Sequence, residues 1–155
     1  MPNVPDNTNP TEWHRFFAME CNNRAWQLST QTRTPAEDQE MLNVAHTAAH
    51  HWGTLGLELN DMRARMLLAE VHALLGLGAT ALSLANEVRS FFANQETDDW
   101  ELAFVHVIHA HAAASANDTD QHKQSYSAAV KALEAIADEE DRKIVLQTFQ
   151  NVPKP

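Results

Sequence analysis

Apolar residues recur every three or four positions along most of this chain, which is the spacing of one face of an α-helix. In the first such segment the apolar stripe consists of Trp13, Phe16, Phe17 and Leu28. Val, Ile and Thr never form the alternating apolar and polar runs that are typical of a β-strand. Glycine and proline, which interrupt helices, are few within the body of the chain. The pattern therefore predicts an all-α protein.

Helix boundaries are marked by capping residues and glycines. Asn9-Pro10-Thr11-Glu12 begins a first helix that runs to about Ser29, and Thr34-Pro35-Ala36-Glu37 is a capping box that begins a second helix ending near Gly53. The remaining predicted boundaries are a third helix from Asn60 or Asp61 to Leu75, a fourth after Gly76 and Gly78, a fifth capped by Thr97, a sixth after Asn117-Asp118-Thr119-Asp120, and a seventh from about Glu139 to Gln150.

Six helices with short links pair most simply as three antiparallel hairpins, and the short seventh helix would cover the open end of the stack. We expect one helical domain over residues 9–151, a disordered N-terminal tail over residues 1–8 and a C-terminal tail over residues 152–155. A closed six-helix bundle has the same periodicity and remains an alternative.

One segment carries a more specific pattern. Residues 64–92 (ARMLLAEVHALLGLGATALSLANEVRSFF) have small residues on one helix, Gly-Leu-Gly-Ala at the turn and small residues on the next helix. This segment resembles a tetratricopeptide repeat, and residues 100–133 are a weaker echo with a longer turn. The resemblance covers about half of the chain and implies a right-handed stack of helical hairpins. Such stacks commonly bind an extended peptide or a partner helix on their concave face.

The resemblance implies that the first helix of each hairpin lines the groove, which here means helices one, three and five. The candidate lining residues are Arg24, Arg65, His72, His106 and His109. Trp52, at the end of the second helix, is a further candidate because Trp is frequent at binding surfaces. Because these positions are mostly cationic on an acidic chain, we expect an acidic or carboxylate-bearing protein or peptide partner. A non-catalytic binding module is the favoured interpretation.

The charge balance limits the other partners. The 155 residues include 21 Asp and Glu against 11 Lys and Arg, a formal charge of −10, and no Lys/Arg cluster is present. We therefore expect no binding to nucleic acid or to an anionic membrane surface. The polar start of the chain is unlike a signal peptide, and no apolar run approaches the ~20 residues of a membrane span. The single cysteine, Cys21, fits a reducing compartment, and the predicted location is cytoplasmic.

Nine histidines give the alternative interpretation, a His-rich metal-binding protein or metalloenzyme. His46 and His50 lie four residues apart on the second helix, and imidazole is a good ligand for zinc or another divalent transition metal. That hypothesis places a metal between helices two, three and five, with four ligands and two carboxylates to orient them: His46, His50, His72 and His106, with Glu70 and Glu101. Neither HExxH nor ExxH occurs. A third hypothesis is a structural subunit that forms a homodimer through an exposed apolar face.

Overall fold

The computed structural model describes Val4 and residues 9–155, and this part of the chain folds into seven α-helices without a strand. The predicted disorder of residues 1–8 falls outside the described residues, apart from Val4. None of the described helices combines the length and the apolar composition needed to cross a bilayer. The helices are α1 (Pro10–Ser29), α2 (Pro35–Leu55), α3 (Glu58–Leu74), α4 (Gly78–Ala93), α5 (Asp99–Ser115), α6 (Thr119–Ala135) and α7 (Glu139–Phe149).

Three of the predicted helix starts are confirmed by side-chain caps. Asn9 accepts a hydrogen bond from the backbone N–H of Thr11. Thr34 and Glu37 form a reciprocal capping box at the start of α2, and Asp118 caps α6. These caps supply acceptors for backbone N–H groups that have no partner within the helix, which is why the local sequence was sufficient to locate them.

Three predicted boundaries were displaced. The second helix continues past Gly53 to Leu55, because Gly56 adopts the left-handed conformation, with φ of +66°, that ends it. The third helix begins at Glu58, ahead of the predicted Asn60 or Asp61, with Leu57 at the N-cap position and no side-chain cap. The fifth helix is preceded by Asp98, while the Thr97 hydroxyl donates to the carbonyl of Phe92 at the end of α4.

The helices form a stack of hairpins, α1 with α2, α3 with α4, and α5 with α6. The odd-numbered helices also contact one another in series, from α1 to α3, α5 and α7, and each even-numbered helix packs against the helix that follows it. The predicted all-α hairpin stack with a C-terminal helix at its end is thus confirmed. The segment after α7 is partly fixed, since Val152 is buried and the Pro153 carbonyl accepts a hydrogen bond from His122 at 2.8 Å.

The two glycines of the turn between α3 and α4 have different roles. Gly76 has a φ of +74°, the left-handed conformation that ends α3. Gly78 is the first residue of α4 and lies against the end of α5. A Cβ atom at this position would lie 2.2 Å from the carbonyl oxygen of Ser115 and 2.4 Å from the nitrogen of Ala116. Space, rather than backbone conformation, therefore requires glycine at residue 78.

A buried polar pair joins α3 to α5. Glu70 is completely buried, and its Oε2 lies 2.9 Å from Nδ1 of His111, which is itself 7% exposed. The second carboxylate oxygen, Oε1, has no hydrogen-bond partner. Because an unpaired buried carboxylate is costly, Glu70 depends on His111 for its stability in the core.

Candidate ligand-binding cleft

A cleft of about 480 Å³ opens where α1, α3, α5 and α7 meet. Each of these helices contributes lining side chains, and the even-numbered helices contribute none of those described. The lining residues are Asn22, Trp26 and Gln27 of α1 with Thr30 at its C-cap, Arg63 and Met66 of α3, Trp100, Glu101 and Phe104 of α5, and Ile144, Gln147 and Thr148 of α7.

Helical spacing places these side chains on one face of each helix. Asn22, Trp26 and Thr30 are four residues apart, as are Trp100 and Phe104, so each set projects in nearly one direction. Because the odd-numbered helices contact one another in series, the faces become adjacent walls of a single cleft. The cleft is therefore a product of stacking, since each helix contributes only a narrow strip of it.

Aromatic rings form the floor of the cleft. The rings of Trp26 and Phe104 have centroids 5.5 Å apart, and Trp100 meets Phe104 edge to face with centroids 6.2 Å apart. Phe104 is buried, whereas both Trp side chains are half-buried and remain accessible from the cleft. Trp26 thereby connects the first hairpin to the third across an apolar surface, and large fixed rings offer contact area at a small cost in conformational entropy.

An ion pair between Arg63 and Glu101 lines one wall of the cleft. The guanidinium group of Arg63 donates from Nε and Nη2 to the two oxygens of Glu101, at 2.6 and 3.0 Å. Glu101 is only 3% exposed, and the guanidinium lies 5.7 Å from the ring centroid of Trp100. The hydrogen bond to Glu101 raises the pKa of Arg63, so the guanidinium group stays charged beside this carboxylate. The cation of this wall is therefore already paired within the chain.

The structure places the two predicted groove arginines outside the cleft. Arg24 donates to both oxygens of Glu40 on α2, at 2.6 and 2.9 Å. Arg65 bridges Asp61 of its own helix and Glu87 of α4. Each arginine lies two residues from a cleft residue, Trp26 or Arg63, and two residues correspond to about 200° around a helix. Both therefore face the neighbouring even-numbered helix, where carboxylates satisfy their charge.

The other predicted lining residues also lie elsewhere. Trp52 is buried against Ala18 and Ala64, where it fills the space between the first three helices. His72 is 6% exposed and faces α2, and half-buried His106 lies close to the charge of Arg89. The three helices assigned to the groove thus all contribute to the cleft, which α7 completes, but none of the predicted side chains is among its described lining residues.

The predicted metal ligands are only partly brought together. His46 and His72 lie side by side, with their Nε2 atoms 3.1 Å apart. Exposed His50 has His51 as its ring neighbour, and His106 is on α5 near Arg89. Glu101 is held by Arg63, and Glu70 is held by His111. Across Val4 and residues 9–155, no three His, Cys, Asp or Glu side chains are grouped to hold one metal ion. A four-histidine centre is thus not found there, because the helix faces that meet are different ones.

His109, the last predicted lining residue, belongs to the core. Its Nδ1 lies 2.7 Å from the hydroxyl of Ser125, and its Nε2 lies 2.8 Å from Oδ1 of Asn86. Burial, followed by the nearby charges of Arg89 and His106, lowers the pKa of His109 to about 4. The ring is therefore neutral in the folded protein and connects α5 to α4 and α6.

Acidification is expected to destabilise the protein through His109. The pKa of His109 is about 6.5 in the unfolded chain and about 4 in the folded protein, so on acidification the unfolded chain binds a proton first. The contribution of His109 to the free energy of unfolding is therefore fully present above pH 6.5 and is lost as the pH falls towards 4. Between pH 7 and pH 5 we expect a loss of about 2 kcal/mol from this residue. Urea unfolding of wild type and His109→Gln at both pH values measures the difference. The exposed His50→Gln is the control, and an equal pH slope in all three proteins would contradict the prediction.

Neither a protein-family model, nor a curated protein, nor a solved structure matches this chain. Its principal feature is the cleft, whose central residues Trp26, Arg63 and Phe104 were missed by the sequence analysis. The four-residue spacing of Trp100 and Phe104 within α5 was a readable signal, whereas the pairing of Arg63 with Glu101 joins residues 38 positions apart and leaves no local mark.

Proposed function

We propose that this protein is a non-catalytic binding module that holds a segment of a partner protein in the cleft between α1, α3, α5 and α7. The observation that carries the proposal is the aromatic floor formed by Trp26, Trp100 and Phe104, with two half-buried Trp rings left accessible. Trp, Phe, Met and Arg are enriched at protein interfaces, and Trp and Arg are frequent among the residues that dominate binding energy. Trp, Phe, Met and Arg all occur among the residues that line this cleft.

The chemistry of the lining indicates the kind of segment. Because Arg63 and Glu101 are paired with each other and the floor is aromatic, the cleft favours an uncharged anchor, namely an aliphatic or aromatic side chain. Asn22, Gln27 and Gln147 add amide groups that can donate to and accept from a peptide backbone. The cleft volume of about 480 Å³ lies within the range of about 300–1,000 Å³ found for ligand pockets.

This proposal changes the expected partner. The sequence analysis favoured an acidic ligand because Arg24 and Arg65 were expected in the groove. Both arginines are paired with carboxylates of this chain, so they offer little attraction to a second carboxylate. A peptide with an apolar anchor fits the described lining better. The position of the cleft on the first helix of each hairpin accords with a tetratricopeptide-like stack, which remains part of the proposal.

Selection from a displayed library of random peptides tests the proposal with the full chain as bait. We expect selected peptides to share one large apolar residue, and we expect Trp26→Ala to weaken their binding by about 30-fold or more, the effect of losing a residue that dominates an interface. Ile144→Ala, at a 55% exposed cleft position, should weaken binding without affecting the fold. Titration calorimetry measures both affinities.

Phe17→Ala is the matched control, because Phe17 is an exposed aromatic residue of the same helix α1 and is not among the described lining residues. Its peptide affinity should equal that of the wild type. The proposal is wrong if Trp26→Ala and Ile144→Ala bind the selected peptides as tightly as Phe17→Ala does. Circular dichroism of each variant establishes that a loss of binding is not a loss of fold.

A further inference from the structure

Two histidines from different helices meet away from the cleft. His46 of α2 and His72 of α3 have Nε2 atoms 3.1 Å apart and ring centroids 5.2 Å apart, with the ring planes at 76°. His46 is exposed, whereas His72 is 6% exposed. The imidazole of His72 is therefore packed in the core, and the imidazole of His46 contacts it from the solvent side.

The separation of the two nitrogens fits shared coordination. Imidazole nitrogens bind divalent transition metals at about 2.0–2.1 Å, so two nitrogens 3.1 Å apart subtend an angle of about 100° at one ion. That angle lies between the right angle of square-planar or octahedral coordination and the tetrahedral angle. We propose that His46 and His72 form a two-imidazole site for a divalent transition metal, in the order of preference Cu²⁺ over Ni²⁺ and Zn²⁺.

Water completes the coordination, since no third His, Cys, Asp or Glu among the described residues joins the pair. In the metal-free protein one Nε2–H group donates to the other Nε2 atom. Metal binding at both Nε2 atoms moves that proton to Nδ1 of the same ring, so two neutral rings release no net proton.

A second histidine pair in the molecule provides an internal comparison. His14 of α1 and His51 of α2 approach through their Nδ1 atoms at 2.7 Å. That separation gives an angle of only about 80° at an ion 2.0–2.1 Å from each nitrogen, which is tighter than the regular coordination geometries. This pair is better explained as a hydrogen bond between imidazoles. It serves as a control of the same residue type on an adjoining pair of helices.

Titration of Cu²⁺ into the full chain without an affinity tag, in a buffer that does not bind metal, tests the site. We expect one Cu²⁺ per chain and an electron paramagnetic resonance spectrum with hyperfine splitting from two nitrogen atoms. His46→Ala should lower the affinity at least tenfold, and because His46 is exposed this variant should fold normally. His14→Ala should bind as the wild type does.

Three outcomes would overturn the site: no stoichiometric Cu²⁺, unchanged affinity in His46→Ala, or loss of binding in His14→Ala instead. The variant His72→Ala should also lose Cu²⁺ binding. Circular dichroism of this variant distinguishes a loss of metal binding from a loss of fold. The Cu²⁺ site is separate from the proposed peptide cleft, so we expect Trp26→Ala to leave Cu²⁺ binding unchanged. A failure of either proposal is therefore distinguishable from a failure of the other.

Discussion

Gly78→Ala is expected to lower the free energy of unfolding by about 3 kcal/mol, the upper part of the range for overpacked positions. The added Cβ atom would lie 2.2 Å from the backbone oxygen of Ser115, and a backbone cannot move aside as a flexible side chain can. Relief requires α4 to shift relative to α5. Urea unfolding measures the effect as a lower midpoint at an unchanged m-value.

The control for this prediction is another helical glycine. A Cβ atom at Gly53 of α2 would have its nearest neighbour, Oδ1 of Asp61, at 3.5 Å, which is an ordinary contact. Gly53→Ala should therefore stabilise the protein by about 0.5–1 kcal/mol, because alanine has the higher helix propensity. Equal stabilities for the two alanine variants would show that α4 and α5 do not approach as closely as described.

The second large effect concerns the buried pair between α3 and α5. His111→Leu is expected to cost about 3–5 kcal/mol near neutral pH, because it leaves the carboxylate of Glu70 buried without a partner. The double variant Glu70→Met/His111→Leu removes both polar groups and should recover most of that loss, since an apolar pair of similar size suits this environment. Denaturant unfolding of the two single variants and the double variant gives the coupling free energy.

Additive losses in this cycle would contradict the prediction. They would mean that Glu70 finds another partner when His111 is removed, for instance through its Oε1 atom, which has none in the present structure. A strongly non-additive result would instead identify the pair as a single polar unit within an apolar core.

The sequence was informative wherever the signal was contained in a few neighbouring residues. The capping box of Thr34 and Glu37 and the cap at Asp118 were read correctly, because each is formed within four residues. The start of α3 was missed, since Leu57 provides no side-chain cap there. Glu58 and Leu59 are exposed in that first turn, so neither a capping side chain nor burial marks it in the sequence.

The cleft could be predicted only in part. Periodicity shows which residues share a helix face, but it does not show which faces meet, and the sequence prediction placed Arg65 rather than Arg63 in the groove. Arg63 and Arg65 are two residues apart on α3, which is more than half a turn of the helix, so Arg63 faces the cleft and Arg65 faces α4. The histidines present the same difficulty, because His46 meets His72 across 26 residues while His50, on the same face of α2, remains exposed.

The construction of the cleft has a thermodynamic consequence. A stack in which each unit contacts mainly its neighbours can lose its terminal units while the middle stays folded. The cleft, however, draws its lining from all three hairpins and from α7, between Asn22 and Thr148. A ligand that binds only the complete lining stabilises every unit by the same amount, because opening any one of them releases it. A ligand in the cleft would thus couple the unfolding of the three hairpins and α7 to one another.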